Sequence, residues 1–202
     1  MLKLHFAPKS RAIRAAWMLE EMGLAYELVS YALGDPQMRS PAFRAIHPMG
    51  RVPVLEDGDV RIMESGAILE YLISRYGGSA FRPDVDSPDF PAYLQWMHYA
   101  EGMLMPPVNS YMVETFFLPP ERQSEVHAKR AKKLLGHMLV AVEAGLEDRA
   151  YLAGEFTAAD IMTGSAVMSA RTIGVEMSEL PQLTAYIDRL SQRPAYIKAA
   201  AL

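Results

Sequence analysis

The segment HPMGRVPVLEDGDVRIMESGAILEYL, residues 47–72, contains residues suited to holding a small peptide. Pro53 lies among apolar, strand-forming residues, although proline has no N–H to donate to a sheet. Its position predicts a sheet edge, the first residue of a strand, or a cis bond at a tight turn. In the cis case the N–H and C=O of Val52 would be available to pair with an extended peptide. The alternative is a proline that only begins a strand.

Glu64 and Ser65 stand where the second strand of this segment passes into a helix. Ser65 is suited to cap the helix, and the free N–H groups and dipole of a helix N-terminus favour a carboxylate. Glu64 supplies a negative charge beside it. The pair is therefore suited to a zwitterionic amino-acid head group, and the alternative is a helix cap next to a surface glutamate.

The composition limits the chemistry and the partners. The chain of 202 residues has no cysteine, so any reactive thiol must come from a ligand, and its five histidines lack metal-ligand spacing, so we expect no metal. The net charge is −4, and the basic cluster at 127–133 has the spacing of a solvated helix face. No apolar run reaches the roughly 18 residues of a membrane span, and the N-terminus has no leader pattern. We expect a cytoplasmic protein that binds neither nucleic acid nor membranes.

The elements around these residues predict an α/β domain. LKLHF and YELVS, at 2–6 and 26–30, read as strands on either side of a helical pattern. The segment PAFRAI predicts a short helix, and VPVLE and VRIME flank the hairpin signal Asp57-Gly58-Asp59. A helical stripe from Ser65 to Tyr76 completes the order β-α-β-α-β-β-α.

The rest of the chain predicts an all-α domain. Residues 79–88 are rich in Gly, Pro, Ser and Asp, which is typical of a linker. The predicted domains are therefore 1–78 and 89–202. Helical patterns in the second domain cover 91–117, 121–149, 157–173 and 181–193.

Thr157 and Asp160 have the spacing of a capping box at the start of the third of these helices, with Asp in place of the usual Glu. Phe156 and Ile161 are placed to form a hydrophobic staple around the cap. We therefore assign Asp160 to helix capping rather than to acid catalysis, and we expect Asp160→Ala to cost about 1 kcal/mol or more of stability.

Several motifs of this chain occur together in one known family. MGRVPVL, ESGAILEYL, SRAIRAAWMLEEMGLAYEL and the late FTAADI resemble cytosolic glutathione S-transferases of a bacterial, serine-type or unclassified subgroup, in order and spacing over the whole chain. The resemblance implies a thioredoxin-like N-terminal domain, an all-α C-terminal domain, a homodimer and bound glutathione. It also implies that Pro53 is a cis-proline, that Val52 pairs with the cysteinyl backbone, and that Glu64 and Ser65 hold the γ-glutamyl end. Arg51 would then lie near the glycine carboxylate.

The resemblance also implies where the thiol is activated. The family places a Tyr, Ser or Cys after the first strand, where this chain reads HFAPKSRAIR. Ser10 supplies the hydroxyl in that segment, and Lys9 or Arg11, as a cation near the sulfur, is the rival. Ser10 also fits a plain N-cap for the following helix. A thiol with a pKa near 8.5 is only slightly ionised at neutral pH, so a group that stabilises the anion increases the amount of nucleophile.

A small apolar electrophile is expected between this loop and the first long helix of the second domain. On that helix Met103, Pro107 and Tyr111 recur at spacing four, and Pro106-Pro107 is expected to kink or break it. The alternative for each residue is a purely structural role in the packing of the core. The leading hypothesis is glutathione transfer to the electrophile, as in detoxification. The alternatives are glutathione-dependent reduction of a peroxide or disulfide, and a non-catalytic binding module of this fold.

Overall fold

The first 76 residues contain both strands and helices in the computed structural model, which describes residues Met1–Leu202. The chain forms two compact units, Met1–Arg82 with Ser191–Leu202, and Pro83–Leu190. The predicted order β-α-β-α-β-β-α is confirmed in the first unit. Its elements are β1 (Leu2–Phe6), α1 (Ala12–Glu21), β2 (Tyr26–Ser30), α2 (Pro41–Arg44), β3 (Val54–Asp57), β4 (Val60–Met63) and α3 (Ser65–Tyr76).

The four strands form one mixed sheet in the order β2-β1-β3-β4. β1 is parallel to β2 and antiparallel to β3, and β3 is antiparallel to β4. The parallel pair is connected through α1, as expected for a βαβ unit. β1 and β3 each have two neighbouring strands, and in β1 the side chains of Leu4 and Phe6 are buried, with 0% and 2% exposure.

The hairpin between β3 and β4 forms as predicted, with Gly58 in the left-handed region at φ +58°. Glycine adopts this conformation without a steric penalty, which suits a two-residue turn. The strand itself is shorter than VPVLE suggested, because it begins at Val54 and leaves Pro53 outside the ladder. This placement agrees with a proline that cannot donate to a sheet.

The second unit is helical. Two π-helical turns, Ala100–Leu104 and Val113–Phe117, interrupt the first long helical stretch. Of the kink or break expected at Pro106-Pro107, the break does not occur, because the helix continues through both prolines from Met105 to Met112. Because the prolines have no N–H, the carbonyls four residues earlier receive no α-helical donor, and the preceding turn widens instead of ending. The N–H of Met105 donates to the carbonyl of Ala100, five residues back. The helices are α4 (Phe90–Tyr99), α5 (Met105–Met112), α6 (Glu125–Gly145), α7 (Ala158–Thr172) and α8 (Pro181–Ser191).

The predicted capping box at the start of α7 is confirmed. Asp160 is fully buried, and its carboxylate accepts hydrogen bonds from the backbone N–H groups of Thr157 at 2.8 Å and Leu152 at 3.0 Å. The hydroxyls of Tyr186 and Thr157 donate to it at 2.9 and 3.2 Å. Asp160 therefore joins α7, α8 and the preceding loop within this unit.

The end of the chain belongs to the first unit. Residues Ser191–Leu202, which the sequence assigned to the helical domain, group with Met1–Arg82. They contain α9 (Pro194–Ala200), which packs on α1 through Trp17 and Tyr196, with ring centroids 4.8 Å apart. Neither of these helices, nor any other in the structure, is long and apolar enough to cross a membrane.

Candidate functional site

One edge of the sheet brings together the three segments that the sequence singled out. Val54 pairs with His5 on β1 and with Met63 on β4. Because adjacent strands lie about 4.8 Å apart, the start of β3, the end of β1 and the end of β4 are neighbours. The residues that follow or precede these ends, namely 7–11, 52–53 and 64–65, therefore converge at this edge.

Val52 presents an unpaired backbone at this edge. The Val52-Pro53 peptide bond is cis. Val52 lies outside the register of β3, and neither its N–H nor its C=O has another backbone partner. Its half-buried side chain packs against the cluster of Tyr31, Met38 and Phe43, which holds the residue in place. The N–H and C=O are therefore available to an extended ligand.

The loop before Val52 is held by Gly50 and His47. Gly50 has φ +64°, and a Cβ there would lie 2.2 Å from the carbonyl oxygen of Met38, so the backbone approaches more closely than any other residue permits. The N–H of Gly50 donates to the carbonyl of His47 at 2.8 Å. The buried ring of His47 accepts a hydrogen bond at Nδ1 from the N–H of Met49 at 3.1 Å.

Two buried histidines flank the site. Burial lowers the pKa of His47, against the opposing effect of the Glu64 charge. Burial also lowers the pKa of His5, while nearby Glu56 opposes the shift. The Nδ1 atom of His5 lies 3.0 Å from the hydroxyl of Tyr31. Both rings are therefore favoured in the neutral form, and the Nδ1 of His47 acts as an acceptor.

Glu64 has an unusual backbone conformation. It precedes α3 with φ +73° and ψ +116°, and its carboxylate is exposed. Such a conformation costs a residue other than glycine about 1–3 kcal/mol, and such strain is concentrated at functional sites. The structure corrects one detail of the sequence analysis, because Glu64 is the N-cap of α3 and Ser65 is the first helical residue.

The side chain of Ser65 is bound by Arg14, a residue that was not predicted as part of the site. Arg14, on the first turn of α1, donates from Nη1 to the Ser65 Oγ at 3.2 Å. Arg14 is 1% exposed and Ser65 is 4% exposed. A charged residue within the apolar run of α1 was the available signal, because long charged side chains are rarely buried without a partner.

Ser10 makes two local hydrogen bonds. Its hydroxyl donates to the carbonyl of Ala7 at 2.7 Å and accepts from the N–H of Ala12 at 3.1 Å. The N-cap residue of α1 is Arg11, so Ser10 forms a turn one residue before the cap. The single hydroxyl proton of Ser10 must leave Ala7 before it can be donated to a ligand.

The three basic residues of the predicted site differ in their setting. Lys9 is exposed and has a left-handed backbone, with φ +60°. Arg11 is half-buried and directly precedes α1. Arg51 is exposed next to Val52. Lys9 and Arg11 thus lie in the loop after β1, and Arg51 lies on the loop before β3.

The residues predicted for an electrophile pocket lie on the π turn and on α5. Met103 is exposed, Pro107 is buried and Tyr111 is half-buried. The Nζ atom of Lys132 lies 5.8 Å from the centroid of the Tyr111 ring. Pro107 and Tyr111 lie one turn apart on α5, whereas Met103 lies on the π turn that precedes this helix.

No three His, Asp or Glu residues of Met1–Leu202 come close enough together to hold a metal ion.

Known proteins resemble the chain over its whole length. The family model for the glutathione S-transferase N-terminal domain matches residues 1–74, and that for the C-terminal domain matches residues 105–194. Glutathione S-transferase 3 of Schizosaccharomyces pombe is 31% identical over 206 residues, covering 96% of this chain and 85% of the relative.

Solved structures agree with these matches. A theta class glutathione S-transferase from Xanthomonas axonopodis pv. citri, with glutathione bound, has a TM-score of 0.87 at 28% identity, covering 100% of this chain and 97% of that one. A glutathione S-transferase from Actinobacillus pleuropneumoniae has a TM-score of 0.81 at 28% identity, covering 100% and 92%. The predicted thioredoxin-like domain and all-α domain are thereby confirmed, and the chain belongs to the glutathione S-transferase family.

Proposed function

We propose that this protein is a glutathione transferase that binds glutathione at the sheet edge, ionises its thiol and transfers it to a small apolar electrophile. The observation that carries the proposal is the meeting, at one edge, of the unpaired Val52 backbone and the strained Glu64 beside Ser65. An extended tripeptide is bound by backbone hydrogen bonds along its length and by groups that bind its charged end. Val52 is suited to the first, and Glu64 with Ser65 to the second. The family relationship supports the same ligand.

In this proposal the Val52 backbone pairs with the cysteinyl residue of glutathione, next to Pro53. Glu64 attracts the ammonium of the γ-glutamyl residue, and Ser65 with the N-terminus of α3 binds its carboxylate. Arg51 is the candidate partner for the glycine carboxylate at the other end. The negative charge of Glu64, the positive end of the α3 dipole and the positive charge of Arg51 are complementary to the ammonium and the two carboxylates of the tripeptide.

Ser10 is the proposed thiol activator, with Lys9 or Arg11 as the alternative. A hydroxyl donor near the start of α1 stabilises a thiolate, and lowering a thiol pKa by about two units needs roughly 2.7 kcal/mol. For Ser10 this step requires that the hydroxyl leave the carbonyl of Ala7 when glutathione binds. The thiolate then attacks a carbon of the electrophile and forms the carbon–sulfur bond. In the same reaction the bond from that carbon to the leaving group, or to the oxygen of a strained ring, breaks.

The pocket for the electrophile is proposed near Met103, Pro107 and Tyr111. We also propose a cytoplasmic homodimer without a metal, as expected for the family. Light scattering during size-exclusion chromatography tests the dimer, and full activity after treatment with a chelator tests the absence of a metal.

The thiolate absorbance of bound glutathione, titrated against pH, tests the role of Ser10. We expect Ser10→Ala to move the midpoint toward that of the free thiol, because the donor is lost. Ser10→Thr is the matched control, since it keeps a hydroxyl and should keep the midpoint near that of the parent. An unchanged titration in Ser10→Ala would remove Ser10 from the mechanism and leave Lys9→Met and Arg11→Met to identify the cation.

Calorimetric titration with glutathione and a conjugation assay with 1-chloro-2,4-dinitrobenzene test the function as a whole. Binding together with release of chloride supports the transferase. Binding with turnover only of a peroxide or a disulfide would favour the reductase alternative, and binding without any turnover would favour a non-catalytic module. A protein that does not bind glutathione would refute both enzymatic hypotheses.

A further inference from the structure

The contact between Arg14 and Ser65 determines how the Ser65 hydroxyl is used. A guanidinium group carries only donors, so in the 3.2 Å hydrogen bond from Arg14 Nη1 the oxygen of Ser65 must accept. The proton of the same hydroxyl must therefore point away from Arg14. One side chain thus fixes the orientation of another.

The Ser65 proton has no acceptor within the protein. Among residues Met1–Leu202, no carbonyl, carboxylate or ring nitrogen accepts a hydrogen bond from Ser65 Oγ. Ser65 is only 4% exposed, so its hydroxyl is buried and is paired, as an acceptor, with Arg14. The unused proton lies at the N-terminus of the 12-residue helix α3, beside the strained Glu64. A ligand that supplies a hydrogen-bond acceptor at this position would pair with the Ser65 proton.

We propose that Arg14 is a positioning residue for glutathione, which holds the Ser65 hydroxyl so that its proton is donated to the α-carboxylate of the γ-glutamyl residue. This inference rests on the proposed function and extends it to specificity. A carboxylate only accepts, and both Ser65 and the free N–H groups of α3 donate. The site should therefore discriminate in favour of an ionised carboxylate over an amide at this position.

The affinity for glutathione, measured by calorimetry in a set of four proteins, tests the inference. Arg14→Met removes the donor at similar volume, Ser65→Ala removes the hydroxyl, and the double variant removes both. We expect each single variant to weaken glutathione binding by roughly 10- to 100-fold, as for a hydrogen bond to a charged group. The double variant should bind no more weakly than Ser65→Ala, because Arg14 acts through Ser65.

The matched ligand is cysteinylglycine, which lacks the γ-glutamyl residue. Its affinity should be the same in all four proteins, a result that a general structural defect would not give. Circular dichroism melting checks that each variant is folded. If Arg14→Met does not fold, Arg14→Gln takes its place. Because Arg14 acts through Ser65, Arg14→Gln should bind glutathione with an affinity between those of the parent and Ser65→Ala, and weaker binding than by Ser65→Ala would overturn the positioning role.

The outcomes distinguish the positioning role of Arg14 from glutathione binding itself. If the parent protein does not bind glutathione, the proposed function fails. If the parent binds but Arg14→Met weakens binding by the same factor with and without Ser65, or weakens cysteinylglycine equally, the positioning role of Arg14 is overturned and the proposed function stands.

Discussion

Glu64 is the residue whose local conformation is hardest to explain by folding alone. Its φ of +73° lies where a side chain with a Cβ is strained, yet the residue is exposed and no packing requires glutamate there. Glycine would adopt the same turn without the penalty. A carboxylate at this point is suited to a ligand that carries a positive charge.

Replacement of Glu64 by two small residues separates strain from binding. Glycine normally destabilises a protein by about 0.5–1 kcal/mol relative to alanine, whereas at Glu64 we expect the Gly variant to be more stable than the Ala variant by about 1 kcal/mol. Both variants should lose glutathione affinity, because both lack the carboxylate. Urea denaturation and calorimetry measure the two effects.

Glu70 provides the control for this comparison, since it lies within α3 and away from its strained start. There the Ala variant should be the more stable one. The same order at Glu64 would mean that its backbone stores no strain.

Residue types alone predicted some members of the site and could not predict others. Pro53, Glu64 and Ser65 could be selected because a proline in a strand and a polar pair before a helix are local signals. Arg14 could not be assigned a role, because its partner Ser65 lies 51 positions away in the sequence. Such a contact follows from the packing of α1 and α3 and leaves no local pattern.

At the scale of elements, patterns with their own start and stop signals were predicted well. The hairpin at Gly58 and the capping box of α7 both depend on residues within four positions of each other. The π turns at 100–104 and 113–117 were missed, because the helical period alone does not distinguish a widened turn from an α-helical one. Of the residues predicted for the pocket, Met103 lies on the first of these turns, and Pro107 and Tyr111 lie on α5.

Asp160 is expected to contribute more to the free energy of unfolding than a helix cap alone would, because it also connects α7 to α8 and to the preceding loop. Asp160→Ala leaves two buried N–H groups and the Tyr186 hydroxyl without their acceptor. We expect a loss of about 3 kcal/mol or more in the free energy of unfolding, measured by urea denaturation, because each buried unsatisfied group costs about 1–3 kcal/mol. Thr157→Ala, which removes only the cap hydroxyl, should cost about 1 kcal/mol.

Equal losses in Asp160→Ala and Thr157→Ala would contradict this account of Asp160. Glutathione affinity should change in neither variant, because both residues lie in the second unit, whereas the proposed glutathione-binding residues lie in the first.

At the scale of the whole molecule, the chain returns at its end to the unit in which it began. Arg193 binds Glu21 through two hydrogen bonds of 2.6 and 2.8 Å, and Trp17 donates to the same carboxylate at 2.8 Å. These partners are 172 positions apart, so no periodicity or composition could place the last helix on α1. The composition of residues 79–88, from which a linker was predicted, contains no signal for this return of the chain to the first unit.

Arg193→Met tests whether this return stabilises the first unit. The carboxylate of Glu21 is only 9% exposed, so loss of its cation leaves a nearly buried charge, and we expect a loss of about 2–3 kcal/mol in the free energy of unfolding. Hydrogen exchange should increase in α1 and not in α6, since α1 belongs to the same unit as Arg193. Arg171→Met is the matched control, because its pair with Asp188 is more than half exposed and should contribute less than about 1 kcal/mol. Equal effects of the two variants, or faster exchange in α6 alone, would show that the terminal segment does not stabilise the first unit.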